Sequence, residues 1–267
     1  MANKPYSRIG YTSTDYRSVT YKPAEYTPSN YAGTDYTGID ADLGADAKDN
    51  LMGKINLKDA QVAVLGLENG GLALAVAFAQ AGFVTTGIVP SAEALEMLSS
   101  RHSPVADVSD RMLTCAMDAG LTFCEHCDGL ACVDCILISL SPSDPSQLEP
   151  EQDAISSIVH QMRSLLKSET LIILETGAFP GMTAELVAAN IYNSVGLKTG
   201  QDVFVAFSAR PDKKNPLPDD PRRMPKTVGG VTPLCTELAD TLYRRVFDRV
   251  KTDSIIPAPG TTEGSPP

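Results

Sequence analysis

Tryptophan is absent from this 267-residue chain, histidine occurs three times, and aromatic residues make up only 6% of it. His102, His126 and His160 are scattered, so no histidine-centred nucleophilic set can be read, and no G-x-S-x-G elbow is present. Positive charge is in deficit. Lys and Arg number 22 against 33 Asp and Glu, a net charge of −11, which argues against nucleic acid or an anionic membrane as partner because both would be repelled. No apolar run approaches the ~20 residues needed to cross a bilayer. The opening Met-Ala-Asn-Lys-Pro-Tyr lacks the apolar stretch of a secretory signal. Six cysteines without such a signal suit free thiols in a reducing, cytoplasmic setting.

Three regions follow from composition. Residues 1–50 are poor in Leu, Ile and Val and cannot supply a core. Residues 51–256 alternate β-branched runs with amphipathic patterns, which predicts an α/β fold with a mainly parallel sheet. Strands are expected at Gln61–Leu65, Phe83–Val89, Leu171–Leu174 and Val203–Phe207, and helices at Leu72–Ala81, Pro150–Lys167 and Pro233–Phe247. Residues 257–267, rich in Pro, Gly, Ser and Thr, are expected to form a disordered tail.

The stretch Val62-Ala-Val-Leu-Gly66-Leu-Glu68-Asn-Gly70-Gly71-Leu72 lies where a strand turns into a helix, the context of a dinucleotide fingerprint in a Rossmann-like, doubly wound fold. Gly66 and Gly71 take the first and third glycine positions, while the second is Glu68. A carboxylate there opposes a diphosphate at a helix N-terminus that otherwise attracts anions. Gly70 offers a rearranged turn. The acidic residue expected after the second strand, which would hold a ribose, is replaced by Val89. These two changes argue against ordinary NAD binding, with Gly66, Gly70 and Gly71 the residues of any surviving nucleotide site.

Further blocks carry a family resemblance. Leu72-Ala-Leu-Ala-Val-Ala-Phe-Ala-Gln-Ala-Gly82, Ser103–Asp110, Glu175-Thr-Gly-Ala-Phe-Pro-Gly181-Met-Thr183, Val205–Ser208 and Pro225–Pro233 occur in the order seen in the UDP-glucose/GDP-mannose dehydrogenases. The chain resembles that family's NAD-binding domain over about 60–250. The resemblance implies a Rossmann domain that, with a second half supplying a cysteine and a lysine, oxidises the 6-hydroxymethyl of a nucleotide sugar. Departures are expected to matter. Arg210 stands at the family's glutamate, Thr176-Gly177 replaces a Ser-Thr pair, Leu140-Ser-Pro-Ser143 replaces Val-Pro-Thr-Pro, and Pro257–Pro267 follows where the connecting helix would begin. The expectation is a degenerate, non-catalytic domain acting in binding or assembly. The alternative is an NAD-binding subunit whose catalytic half lies on another chain.

Cys124-Glu-His-Cys127 and Cys132-Val-Asp-Cys135 form two C-x-x-C pairs, a naive zinc set. By the resemblance, Leu121–Cys124 is a strand and Cys135 begins the next, which puts the pairs toward opposite ends of the sheet and argues against a metal.

Tyr6, Tyr11, Tyr16, Tyr21, Tyr26, Tyr31 and Tyr36 recur every five residues. Three readings stand: an extended arm docking on a homo-oligomer or larger protein assembly, a disordered low-complexity tail, and a short pentapeptide solenoid. The solenoid is disfavoured by too few repeats and by Pro23 and Pro28. The arm is preferred.

Overall fold

The computed structural model describes residues 44–125, 133–139, 157–160, 162, 166–176, 180–209 and 220–252. Strands are β1 Val62–Leu65, β2 Thr85–Ile88, β3 Leu121–Cys124, β4 Cys135–Ser139, β5 Thr170–Thr176, β6 Val203–Ala209, β7 Lys226–Gly230 and β8 Val250–Thr252. Helices are α1 Ala45–Leu57, α2 Gly71–Gln80, α3 Ala92–Ser99, α4 Asp110–Asp118, α5 Pro180–Val195 and α6 Pro233–Arg244.

The strands form one sheet in the order β3-β2-β1-β4-β5-β6-β7-β8. The first six are parallel, β7 runs antiparallel to β6, and β8 is parallel to β7. This is the doubly wound, mainly parallel architecture expected. The short, apolar strands suit a sheet covered on both faces. Val62, Val64, Leu137, Leu171, Ile173, Phe204 and Ala206 join one core with α1, α2, α4 and α6. Their neighbours in sequence, such as Ile136, Ile138, Ile172, Leu174 and Val205, are equally buried and project to the other face, where α5 packs on β5 and β6.

Helix α2 is the centre of the first face. Every residue from Gly71 to Ala79 is buried, so the helix is apolar all round and its alanines let it lie close to the sheet. Phe78 meets Phe83, Tyr243 and Phe247 at centroid distances of 5.7, 6.0 and 6.1 Å, tying α2 to the far end of α6.

Four expected strands, and the helices over 72–81 and 233–247, appear within a few residues of their predicted limits. The helix expected over 150–167 lies largely outside the described residues, as do the tyrosine segment and residues 257–267. One boundary moves. The compact α/β unit begins at Asp40, and α1 straddles the limit expected between residues 50 and 51. Its Leu51 and Ile55, one turn apart, are fully buried. Ala47 and Met52 pack beside them, partly buried, and so short a stripe in a polar segment is why low hydrophobicity suggests a region without a core contribution.

Candidate nucleotide-binding site

Parallel strands expose their C-terminal ends along one edge, and the strand order reverses between β1 and β4. A crevice for a ligand lies at such a switch point. Here the turn after β1 and the end of β4 meet at that point, in register through Leu65 and Ile138.

Gly66 leaves β1 with φ +76°, a left-handed conformation. A Cβ built on it would stand 1.9 Å from the Ser139 carbonyl oxygen. One on Gly71 would stand 2.5 Å from the Gly66 carbonyl and 3.1 Å from Ser139 Cβ. The first and third glycine positions therefore do what the fingerprint requires: a tight turn, and close packing of helix on strand. Between them, Leu67–Asn69 make a single 3₁₀ turn, and Gly70, with φ +85°, stands as N-cap of α2 without a side-chain cap. Glu68 is exposed on that turn. Val89 is buried beyond β2, with its N–H donating to the Cys124 carbonyl at 2.9 Å.

Ser139, Glu175, Ser208 and Val228 form one row across β4, β5, β6 and β7 near this edge. Glu175 is almost wholly buried and accepts from Lys226 Nζ at 2.8 and 2.7 Å and from the Tyr243 hydroxyl. Burial, and then the adjacent Glu175 carboxylate, push the Tyr243 hydroxyl well above its ordinary pKa. The Lys226 ammonium also lies 5.0 Å from the Phe247 ring centroid. Nothing in the sequence marks this cluster as a unit. Its only signals were a carboxylate ending the apolar run Leu171–Leu174, and a lysine between Pro225 and Thr227.

The cysteine placement follows the register. Cys124 closes β3 at the level of Ile88, Leu65 and Ile138, whereas Cys135 opens β4 at the level of Val62 and Thr85. They are three strands apart and at opposite ends, a separation on the order of 17 Å, too great for one ion. Cys127, Cys132 and His126 lie outside the described residues, as do Arg210, Leu140–Ser143 and all seven repeat tyrosines. Among the described residues no group of three or more His, Cys, Asp and Glu side chains could hold a metal ion. His160 is exposed, and His102 Nδ1 stands 3.2 Å from Asp110 Oδ2 at the surface. Among the described residues no helix is long and apolar enough to cross a membrane.

Comparison with known proteins bears on the same residues. The profile of the UDP-glucose/GDP-mannose dehydrogenase family, NAD binding domain, matches residues 60–247. The chain belongs to this family. Among its relatives, a UDP-N-acetyl-D-glucosamine 6-dehydrogenase of Pseudomonas aeruginosa is 26% identical over 193 residues, covering 72% of this chain and 44% of the relative. A UDP-N-acetyl-D-mannosamine dehydrogenase of Pyrococcus horikoshii is 25% identical over 190 residues, covering 69% and 44%. The chain thus spans less than half the length of these family members. Among solved structures, an NDP-N-acetyl-D-galactosaminuronic acid dehydrogenase from Methanosarcina mazei Go1 superposes with a TM-score of 0.63 at 21% identity, over 76% of this chain and 46% of that one. At that identity the likeness speaks for the family fold alone. The matched span opens two residues before β1 and closes three after α6, so the glycine turn, Glu68, Val89 and the Glu175–Lys226 pair all fall inside it.

Proposed function

We propose that this domain keeps the dehydrogenase shape without holding a dinucleotide in the ordinary way, and serves as a binding or assembly module with its tyrosine repeat as the docking arm. The observation that carries this is Glu68 at the second glycine position, on the turn facing the crevice edge. In the ordinary mode a diphosphate lies against the backbone at that position and is held by helix N-terminal amides. Glu68 adds a Cβ and a carboxylate to that turn, and its negative charge opposes that of a diphosphate. Val89 withdraws the second hold, since its side chain cannot accept from ribose hydroxyls. The residues present therefore fit the backbone outline of an NAD site at Gly66 and Gly71 but not its diphosphate and ribose contacts.

Seven tyrosines at a fixed period supply large, low-entropy anchors with a hydrogen-bonding tip. The partner is a second copy of the chain or a larger protein assembly. Calorimetric titration with NAD, NADH and UDP-N-acetylglucosamine at millimolar concentration is expected to give no heat. Deleting residues 1–43, which leaves α1 intact, is expected to lower the number of chains per particle in solution. An unchanged number shows that the arm does not dock.

A second reading is favoured by the close approach that Gly66 and Gly71 still allow. In it the domain binds NAD and contributes to oxidation of a nucleotide sugar with a catalytic half from elsewhere. An NAD dissociation constant tighter than ~100 μM, an ordinary metabolite affinity, selects that reading.

A further inference from the structure

Among the described residues the sheet has two open edges, and they differ in charge. β3 bonds only β2, and β8 only β7. Around β3, on which α3 and α4 pack, residues 91–125 hold six Asp and Glu against two Arg. One of these, Arg101, is taken up by Asp118 at 2.8 Å. Glu93, Glu96 and Asp107 are exposed, and Glu125, next after β3, is half-buried. None of the four has an ion-pair partner among the described residues.

Around β8 the balance reverses. Residues 220–252 hold seven Lys and Arg against four Asp and Glu. Lys226 is neutralised by Glu175, Arg222 by Asp220 at 2.9 Å and Arg244 by Asp240 at 2.7 Å. Arg223, Arg249 and Lys251 are exposed and have no ion-pair partner among the described residues. Backbone bonds gather them. The Asp248 N–H donates to the Arg222 carbonyl at 3.0 Å and the Lys226 N–H to the Arg249 carbonyl at 2.9 Å. The 3₁₀ turn Pro221–Arg223 is thereby set against the start of β8.

An edge strand offers unpaired N–H and C=O groups to any strand that can approach, and charge selects which one does. Two β3 edges would bring carboxylates together, and two β8 edges would bring cations together. Only β8 beside the β3 of another copy sets opposite charges face to face. Strand direction agrees. β8 follows the reversed β7 and so runs opposite to β3, and copies in the same orientation therefore meet antiparallel, the more stable ladder.

We propose that the basic β8 edge of one chain docks on the acidic β3 edge of a second copy. The two surfaces differ, so the contact does not close on itself and copies add in a row. This surface uses none of residues 1–43 and stands whether or not they dock. Exposed ion pairs are individually weak, so association is expected at chain concentrations of ~0.1–1 mM. The net charge of −11 holds copies apart at low salt. At ~0.15 M salt that repulsion is screened beyond about 8 Å, while touching edges still attract.

Sedimentation velocity of the full chain over this range tests it. Particles should grow with concentration at ~0.15 M salt and shrink at ~1 M, where screening reaches about 3 Å. Arg249→Glu with Lys251→Glu makes both edges acidic, and Glu96→Lys with Asp107→Lys makes both basic. Each variant alone should associate at least tenfold more weakly than the parent. Their equimolar mixture should regain the growth, because each supplies the edge the other lacks. A parent that does not grow, or growth indifferent to salt, overturns the proposal. So does a variant that grows like the parent, or a mixture no better than its components when both melt at the parent midpoint. If either melts lower, the salt dependence of the unmodified chain decides alone. Failure of the docking arm shows separately, in chains per particle after deletion of 1–43.

Discussion

Lys226 Nζ and the Glu175 carboxylate, 51 residues apart in sequence, lie 2.7–2.8 Å from one another with side chains only 2% and 3% exposed. A pair this deep loses its hydration and recovers it only if every remaining hydrogen-bonding site is met. Glu175 also accepts from Tyr243, and the lysine lies against the Phe247 ring. The pair joins β5 to the antiparallel β7, across the strand between them.

Replacing Lys226 by Met leaves a buried carboxylate without its cation. The expected loss is roughly 3–5 kcal/mol in unfolding free energy, read from the urea midpoint. The double variant Glu175→Leu with Lys226→Met removes both charges and is expected to recover most of it. A single variant that unfolds at the parent midpoint would show that the pair holds nothing.

Two glycines should respond in opposite senses to alanine. Gly66 combines φ +76° with a Cβ position 1.9 Å from Ser139 oxygen, so Gly66→Ala should cost more than about 2 kcal/mol. Gly53 lies within α1 with nothing within 4 Å of its Cβ position, so Gly53→Ala should add roughly 0.5–1 kcal/mol through helix propensity. Thermal melts of the two variants should therefore fall on either side of the parent.

Glu68→Gly restores the glycine that the turn lacks and removes the opposing charge. Calorimetry should then detect NAD binding absent from the parent, although weakly, because Val89 still offers the ribose no acceptor. If Glu68→Gly binds no better than the parent, the carboxylate is not what bars the site.

Thiol labelling in the folded protein should sort the described cysteines by burial. Cys115 is exposed on α4 and should react first. Cys124, half-buried, has its thiol pKa raised by desolvation and should follow. Cys135 and Cys235 are fully buried, with thiols pushed upward by that burial, and should react only on unfolding. Mass-spectrometric mapping over time checks the order, and early modification of Cys135 would contradict the packing of β4.

The parts of the fold that were legible are those with local signatures. Val62–Leu65 and Leu171–Leu174 are uninterrupted apolar runs, and the glycines at 66 and 71 mark a strand-to-helix turn by spacing alone. Helix α1 is not legible because only Leu51 and Ile55 of its thirteen residues are fully buried, with Ala47 and Met52 partly so, which leaves a weak periodic signal. The short β7, Lys226-Thr-Val-Gly-Gly230, has two glycines and a lysine, and nothing local to show that it runs against its neighbour.

The chain's own order of residues determined the α/β class, the family, and the presence of Glu68 and Val89 where the glycine turn ends β1 and where β2 ends, since each depends on residue type at a spacing set by backbone geometry. Only the tertiary structure decided which distant groups meet: Lys226 with Glu175, Gly66 with Ser139, and α1 with the starts of β4, β5 and β6. Those contacts depend on how the sheet orders its strands, and a linear spacing does not encode that order.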